Sequence, residues 1–82
     1  MKTIVYIVKA AHALRTHANR AKLIRSKITQ YATDPASQAN NVKRLTGVDA
    51  LRLRVGDFRV IFSETAEKIT VIDIGPRGDI YD

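Results

Sequence analysis

The residues best suited to chemistry in this chain are arginines set into one stretch of alternating sequence. Leu51-Arg52-Leu53-Arg54-Val55 alternates strictly, Gly56-Asp57 interrupts it, and Phe58-Arg59-Val60-Ile61-Phe62 follows. Such alternation is the period of a half-buried strand. A two-residue loop with glycine first suits a type II′ hairpin. That turn dictates a register in which Val55 opposes Phe58, Arg54 opposes Arg59, Leu53 opposes Val60 and Arg52 opposes Ile61. Leu51, Leu53, Val55, Phe58, Val60 and Phe62 then share a core face, and Arg52, Arg54 and Arg59 share the opposite one. Directly opposed Cβ atoms sit about 4.5–5.5 Å apart, and like charges so placed destabilise a sheet. A phosphate backbone would relieve that repulsion, because its oxygens match the guanidinium fork. Arginines splayed into water are the plainer explanation of the same residues. Two features favour an anion: Arg77 emerges just past Gly75-Pro76 at an adjacent strand end, and Tyr81 follows it. An aromatic ring beside clustered cations can stack an unpaired base while phosphates are held.

The surrounding sequence must supply the frame. Thr3 to Val8 is β-branched and aromatic and predicts a first strand. Leu14, Ala18, Ala21, Ile24, Ile28 and Tyr31 then recur in steps of three and four, predicting helix from about Ala10 to Ala32. This span is one helix, or two with a break near His17–Asn19. Asp34-Pro35 ends it, since the residue before proline is pushed out of the α region. Ala36 to Asn41 reads as loop and Val42 to Leu45 as a short edge strand. After the hairpin, Ser63 to Glu67 is a polar turn. Lys68 to Ile74 is a strand with apolar side chains on both faces, as a central strand has. Gly75-Pro76 is expected to break it. The fold class is therefore α+β: an N-terminal strand, a helix or helical hairpin, then an antiparallel meander of three to four strands.

The composition limits what such a frame can do. Eighty-two residues make a single domain, 1–82, with a thin core. The chain has no cysteine, so disulfides, cysteine–zinc sites and thiol catalysis are excluded. The longest apolar run, Ile4 to Val8, is far short of a membrane span, and Lys2 before so short a run does not resemble a signal peptide. A cytoplasmic protein with no membrane partner is expected. Lys and Arg total 14 against eight acids, for a net charge of +6. Residues 1–48 carry nine basic residues and the single acid Asp34, a bias that draws polyanions and above all nucleic acid.

Other polar residues offer little chemistry. His12 and His17 are five apart and do not share a helix face, and no third ligand accompanies them, so no metal site is expected. The acids are scattered singly. No helix follows Gly75-Pro76-Arg77-Gly78, so it is no phosphate loop. Arg15, Arg20, Lys22, Arg25 and Lys27 read as a solvated helix face, with an rRNA-docking surface as the alternative. Tyr6, Phe58 and Phe62 read as core.

Leu51 to Phe62, together with Ile74-Gly-Pro-Arg-Gly-Asp-Ile-Tyr81, resembles the RelE branch of the RelE/ParE toxin superfamily. The order of elements is similar over nearly the whole chain. The resemblance implies a RelE-like fold and the toxin of a type II toxin–antitoxin module, a ribosome-dependent endoribonuclease that cuts mRNA in the A site. It implies two partners, the ribosome with its A-site mRNA and a cognate acidic antitoxin that forms a hetero-oligomer with the toxin. No cofactor is implied. The family's two basic strand positions fall on Arg52 and Arg54, its arginine after the hairpin turn on Arg59, its late arginine on Arg77 and its stacking tyrosine on Tyr81. Many relatives have lysine at the basic strand positions, and many have histidine where this chain has Pro76.

The chemistry implied is attack of a ribose 2′-OH on the adjacent phosphorus, assisted by positioning and charge stabilisation. Arginines suit that role but accept protons poorly. The general base is left among Glu64, Asp79, Tyr81 and the C-terminal carboxylate. A ParE-like gyrase poison of the same fold and a catalytically silent RNA-binding relative are the alternatives. The full arginine–tyrosine set favours the nuclease.

Overall fold

A computed structural model of the chain describes residues 1–76 and Gly78. Eight elements follow in order: β1 (Thr3–Tyr6), α1 (Val8–Thr16), α2 (Ala18–Thr33), a 3-10 segment (Pro35–Asn41), β2 (Val42–Arg44), β3 (Leu51–Val55), β4 (Phe58–Glu64) and β5 (Lys68–Pro76). The strands form one sheet in the order β1-β5-β4-β3-β2, with β1 parallel to β5 and every other pair antiparallel. Both helices pack on one face. The α+β class, the helical hairpin and the meander agree with the sequence reading. No helix among the described residues is long and apolar enough to cross a membrane.

The main core lies between helices and sheet. Leu14, Ile24, Ile28 and Tyr31 meet Leu53, Val55, Val60, Phe62, Ile69, Val71 and Ile74. The helix breaks at His17, whose φ of −108° and ψ of 50° are not helical. Its ring packs edge-on against Phe58, with centroids 4.9 Å apart. The break shifts the helical phase, so Ala18, expected on the buried stripe, is exposed while Ala10 in α1 is buried.

The first strand is shorter than expected. The Ile7 N–H makes the last link to β5, through the Val71 carbonyl, while the Ile7 carbonyl already accepts from Ala11. The alanine-rich run after Lys9 favours helix, and it draws Val8 into the first turn. The stretch after Pro35 is a 3-10 segment rather than open loop. Within it Gln38 is buried, and its side-chain amide donates to Oε1 of Gln30 at 3.1 Å.

β5 departs furthest from expectation. Gly75 and Pro76 do not break it; they pair with Arg59 and Phe58. The ladder to β1 ends at Val71, so a proline further along omits a donor that this ladder does not use. A register shift opposite Ile61 and Phe62 adds one residue to β5. In a regular strand Val71 and Ile74, three apart, would face opposite ways. The bulge turns both into the main core.

A second, smaller cluster sits on the far face of the sheet. Leu45 and Ala50, flanking the β2–β3 loop, cover Ile61, with Ile72 packed beside them. The Leu45 N–H donates to the Ala50 carbonyl at 3.0 Å and closes that loop.

Candidate nucleic-acid interface

The β3–β4 ladder has the register that the Gly56-Asp57 turn requires: Val55 with Phe58, Arg54 with Arg59, Leu53 with Val60 and Arg52 with Ile61. Gly56 takes a φ of +58°, in the left-handed region that a side chain disfavours. Because Leu53, Val55, Val60 and Phe62 point into the main core, alternation sends Arg52, Arg54 and Arg59 to the face away from the helices. The structure thus brings these three arginines onto one surface.

They differ in setting. Arg54 is exposed and Arg52 half-buried. Arg59 is only 4% exposed, in the central strand β4 between Arg54 of β3 and Gly75 of β5. Its guanidinium donates to the Phe58 carbonyl at a long 3.5 Å, and both Arg52 and Arg59 take part in polar interactions within the chain. Gly75 puts no side chain beside Arg59. Arg52 lies two rungs further along, next to the apolar cluster of Leu45, Ala50 and Ile61.

The ladder adds a residue that sequence reasoning did not include. Lys43 of β2 directly opposes Arg52. Its neighbour Val42 packs on the main core, so Lys43 faces the same way as the arginines, and it is exposed. The signal was available: an edge strand joined to β3 by a short loop must run antiparallel to it, and that pairing puts Lys43 near Arg52. Two like-charge pairs, Arg54 with Arg59 and Lys43 with Arg52, therefore lie two rungs apart on one face.

Arg77 and Tyr81, and with them Asp79 and Asp82, lie outside the described residues. Glu64, the other proposed base, does not join the arginines. It shares the helix-side parity of Phe58, Val60 and Phe62, opposite to Arg59. Its carboxylate accepts from the Tyr31 hydroxyl and from the Lys2 ammonium, each at 2.6 Å. Burial alone would raise its pKa, but the hydrogen bonds from Lys2 and Tyr31 and the Lys2 charge outweigh it and hold the carboxyl below its ordinary value. Tyr31 is pushed up to about 12 by burial and by its bond to Glu64. A carboxylate held by two donors and stabilised in its charged form is a poor proton acceptor. Asp73 is likewise engaged: it accepts from the Ile74 N–H at 2.9 Å and pairs with Lys9 at 3.2 Å. Among the described residues no group of three His, Asp or Glu could hold a metal ion.

A cleft of about 120 Å³ lies between α2 and the hairpin tip, lined by Arg20, Leu23, Ile24, Val55 and Phe58. It is on the helix side of the sheet. On the arginine side, Arg54 is exposed, Arg52 half-buried and Arg59 buried, so the charge that faces outward is Arg54's.

Three solved structures match this architecture almost end to end. A chain of the archaeal RelE–RelB complex from Pyrococcus horikoshii superimposes with a TM-score of 0.76 at 22% identity, over 96% of this chain and 98% of that one. YafQ from E. coli gives 0.76 at 13% identity, with both chains covered completely. This chain has the RelE/ParE toxin fold. A YoeB/ParE toxin from Agrobacterium tumefaciens gives 0.72 at 17% identity, over 94% of this chain and 99% of that one. No protein-family model and no curated protein sequence matches the chain. Identities this low leave the RelE/ParE fold as what the likeness establishes, and the chemistry must be argued from the side chains.

Proposed function

We propose that this chain is the toxin of a toxin–antitoxin pair and cleaves messenger RNA in the ribosomal A site. The observation that carries the reading is the placement of Arg52, Arg54 and Arg59 on the sheet face away from the helices, with Arg54 and Arg59 directly opposed. A fold shared with RelE–RelB, YafQ and YoeB/ParE structures supports it.

In this mechanism the ribose 2′-oxygen attacks the adjacent phosphorus. A bond from the 2′-oxygen to phosphorus forms as the bond to the 5′-oxygen breaks. The products are a 2′,3′-cyclic phosphate and a 5′-hydroxyl. Arg54 and Arg59 take the scissile phosphate and stabilise its growing charge, joined by Arg77 from beyond β5. Arg52 holds the neighbouring backbone, and Tyr81 stacks on a base. The proton from the 2′-OH goes to Asp79 or a ribosomal group, since Glu64 is occupied on the other face, and the departing 5′-oxygen takes up a proton from water.

The partner is an acidic antitoxin. A net charge of +6, with no acid before Asp34, favours a negatively charged segment that folds on contact. The protein acts in the cytoplasm, where translating ribosomes are.

Mapping mRNA 5′ ends after induction in cells tests this reading. Cuts inside codons of translated messages are the predicted result. A DNA-damage response without such cuts would mean a gyrase poison instead, and no growth effect would mean a silent RNA-binding relative.

A further inference from the structure

The two like-charge rungs have a definite spacing. Arg54 and Arg52 are two residues apart on β3, or about 6.8 Å along an extended strand. That interval is close to the step between successive phosphates on an extended single strand. The rungs are also offset sideways. The Arg54–Arg59 pair spans β3 and β4, whereas the Lys43–Arg52 pair spans β2 and β3. A line through both rungs runs obliquely from the middle of the sheet to its β2 edge.

Lys43 is aimed at that line and Arg44 is not. Arg44 opposes Leu51, on the other parity, and sits 3.5 Å from Asp49. Among the described residues no carboxylate pairs with Lys43. Only three residues long, β2 has nothing beyond it in the sheet, so a polymer crossing the face can leave freely over this edge. Ile61 stands directly opposite Arg52 on the β4 side, and Leu45 and Ala50 lie beyond the Lys43–Arg52 rung, so the apolar cluster leaves Lys43 on the β2 side as the cation next to Arg52.

We infer that Lys43, with Arg52, binds the phosphate one nucleotide away from the one held by Arg54 and Arg59, so that the sheet face grips a single RNA strand over two successive phosphates. This rests on the proposed RNA-binding role of the same face. Lys43 is a positioning contact: it touches substrate away from the bond that breaks. An edge lysine also discourages edge-to-edge pairing of sheets, and the test must separate that structural role from phosphate binding.

The probe is a fluorescent 2′-O-methyl RNA hexanucleotide, which cannot be cleaved. Its affinity is measured by anisotropy between about 50 and 200 mM salt, where each phosphate neutralised on a single strand adds about 0.7 to the slope of log affinity against log salt. Lys43→Ala should lower the slope by about 0.7, and Lys43→Arg should restore it. Lys43→Glu keeps a charged edge but should weaken binding further, which a purely structural lysine would not do. Lys22→Ala, an exposed lysine on α2, should leave the slope unchanged. A wild-type slope for Lys43→Ala, with a reduced one for Arg54→Ala, would overturn the second phosphate contact and leave the proposed function standing. Wild-type slopes for both variants would remove the sheet face as an RNA site altogether.

Discussion

Arg54 and Arg59 stand directly opposite each other on the β3–β4 ladder, on the face that the helices leave uncovered. Arg59 is buried and takes part in interactions within the chain, whereas Arg54 is exposed. Like charges set directly opposite each other destabilise a sheet. Arg54, the exposed member, can be neutralised without opening the core. Arg54→Gln should therefore raise Tm by up to a few degrees in a domain of this size. Added sulfate should stabilise the wild type more than the variant. Thermal melts with and without sulfate check both, and a lower Tm for Arg54→Gln would mean that its charge is satisfied within the free chain.

Glu64 predicts a pH dependence of stability. Its carboxyl is held below its ordinary pKa in the folded chain by Lys2 and Tyr31, against the opposing effect of burial. A depressed folded pKa contributes stability above the unfolded pKa, and that contribution is lost as pH falls through the folded value. Glu64→Gln should cost about 1–2 kcal/mol at neutral pH, allowing for partial exposure of the pair. The gap to the wild type should close as pH drops below the carboxylate range. Urea titrations across that range measure it, and a gap independent of pH would contradict the assigned network.

Gly56 ties turn geometry to the arginine surface. A side chain there would meet nothing within 4 Å, so any penalty comes from the φ of +58° alone. Gly56→Ala should cost about 1–2 kcal/mol, and Gly56→Asn less, because asparagine tolerates that region. Denaturant midpoints give the order. Equal losses for both would indicate that the turn has rearranged in the variants.

These features were legible in the sequence to different degrees. The hairpin register followed from one two-residue turn between two alternating strands, and it carried Arg52, Arg54 and Arg59 onto one face with no long-range information. The helix break at His17 was also visible, but its consequence for Ala18 was not, because the φ and ψ taken at that one residue set the direction of every later side chain around the helix. Gly75-Pro76 looked like a stop because local propensity cannot reveal that the neighbouring strand β1 ends at Tyr6, opposite Val71. The bulge that turns Val71 and Ile74 to the same side has no local signature at all. Lys43 was within reach, since Val42 to Leu45 already read as an edge strand, but the longer β2–β3 loop does not set a register as the two-residue hairpin turn does. Glu64 was a reasonable base by charge alone, and only the contacts from Tyr31 and Lys2 remove it.

The most direct test of the central claim is single-turnover cleavage of mRNA on programmed ribosomes by Arg54→Ala, Arg59→Ala and Arg77→Ala, with circular dichroism to verify folding and Tyr81→Phe run alongside. If these arginines hold the scissile phosphate as its charge grows, each loss should cost about 3–4 kcal/mol in the transition state, a rate reduction of about 10²- to 10³-fold. Tyr81→Phe keeps its stacking ring and should retain most of the activity. Folded arginine variants that cleave at near-wild-type rates would contradict the assignment of this sheet face as the catalytic surface.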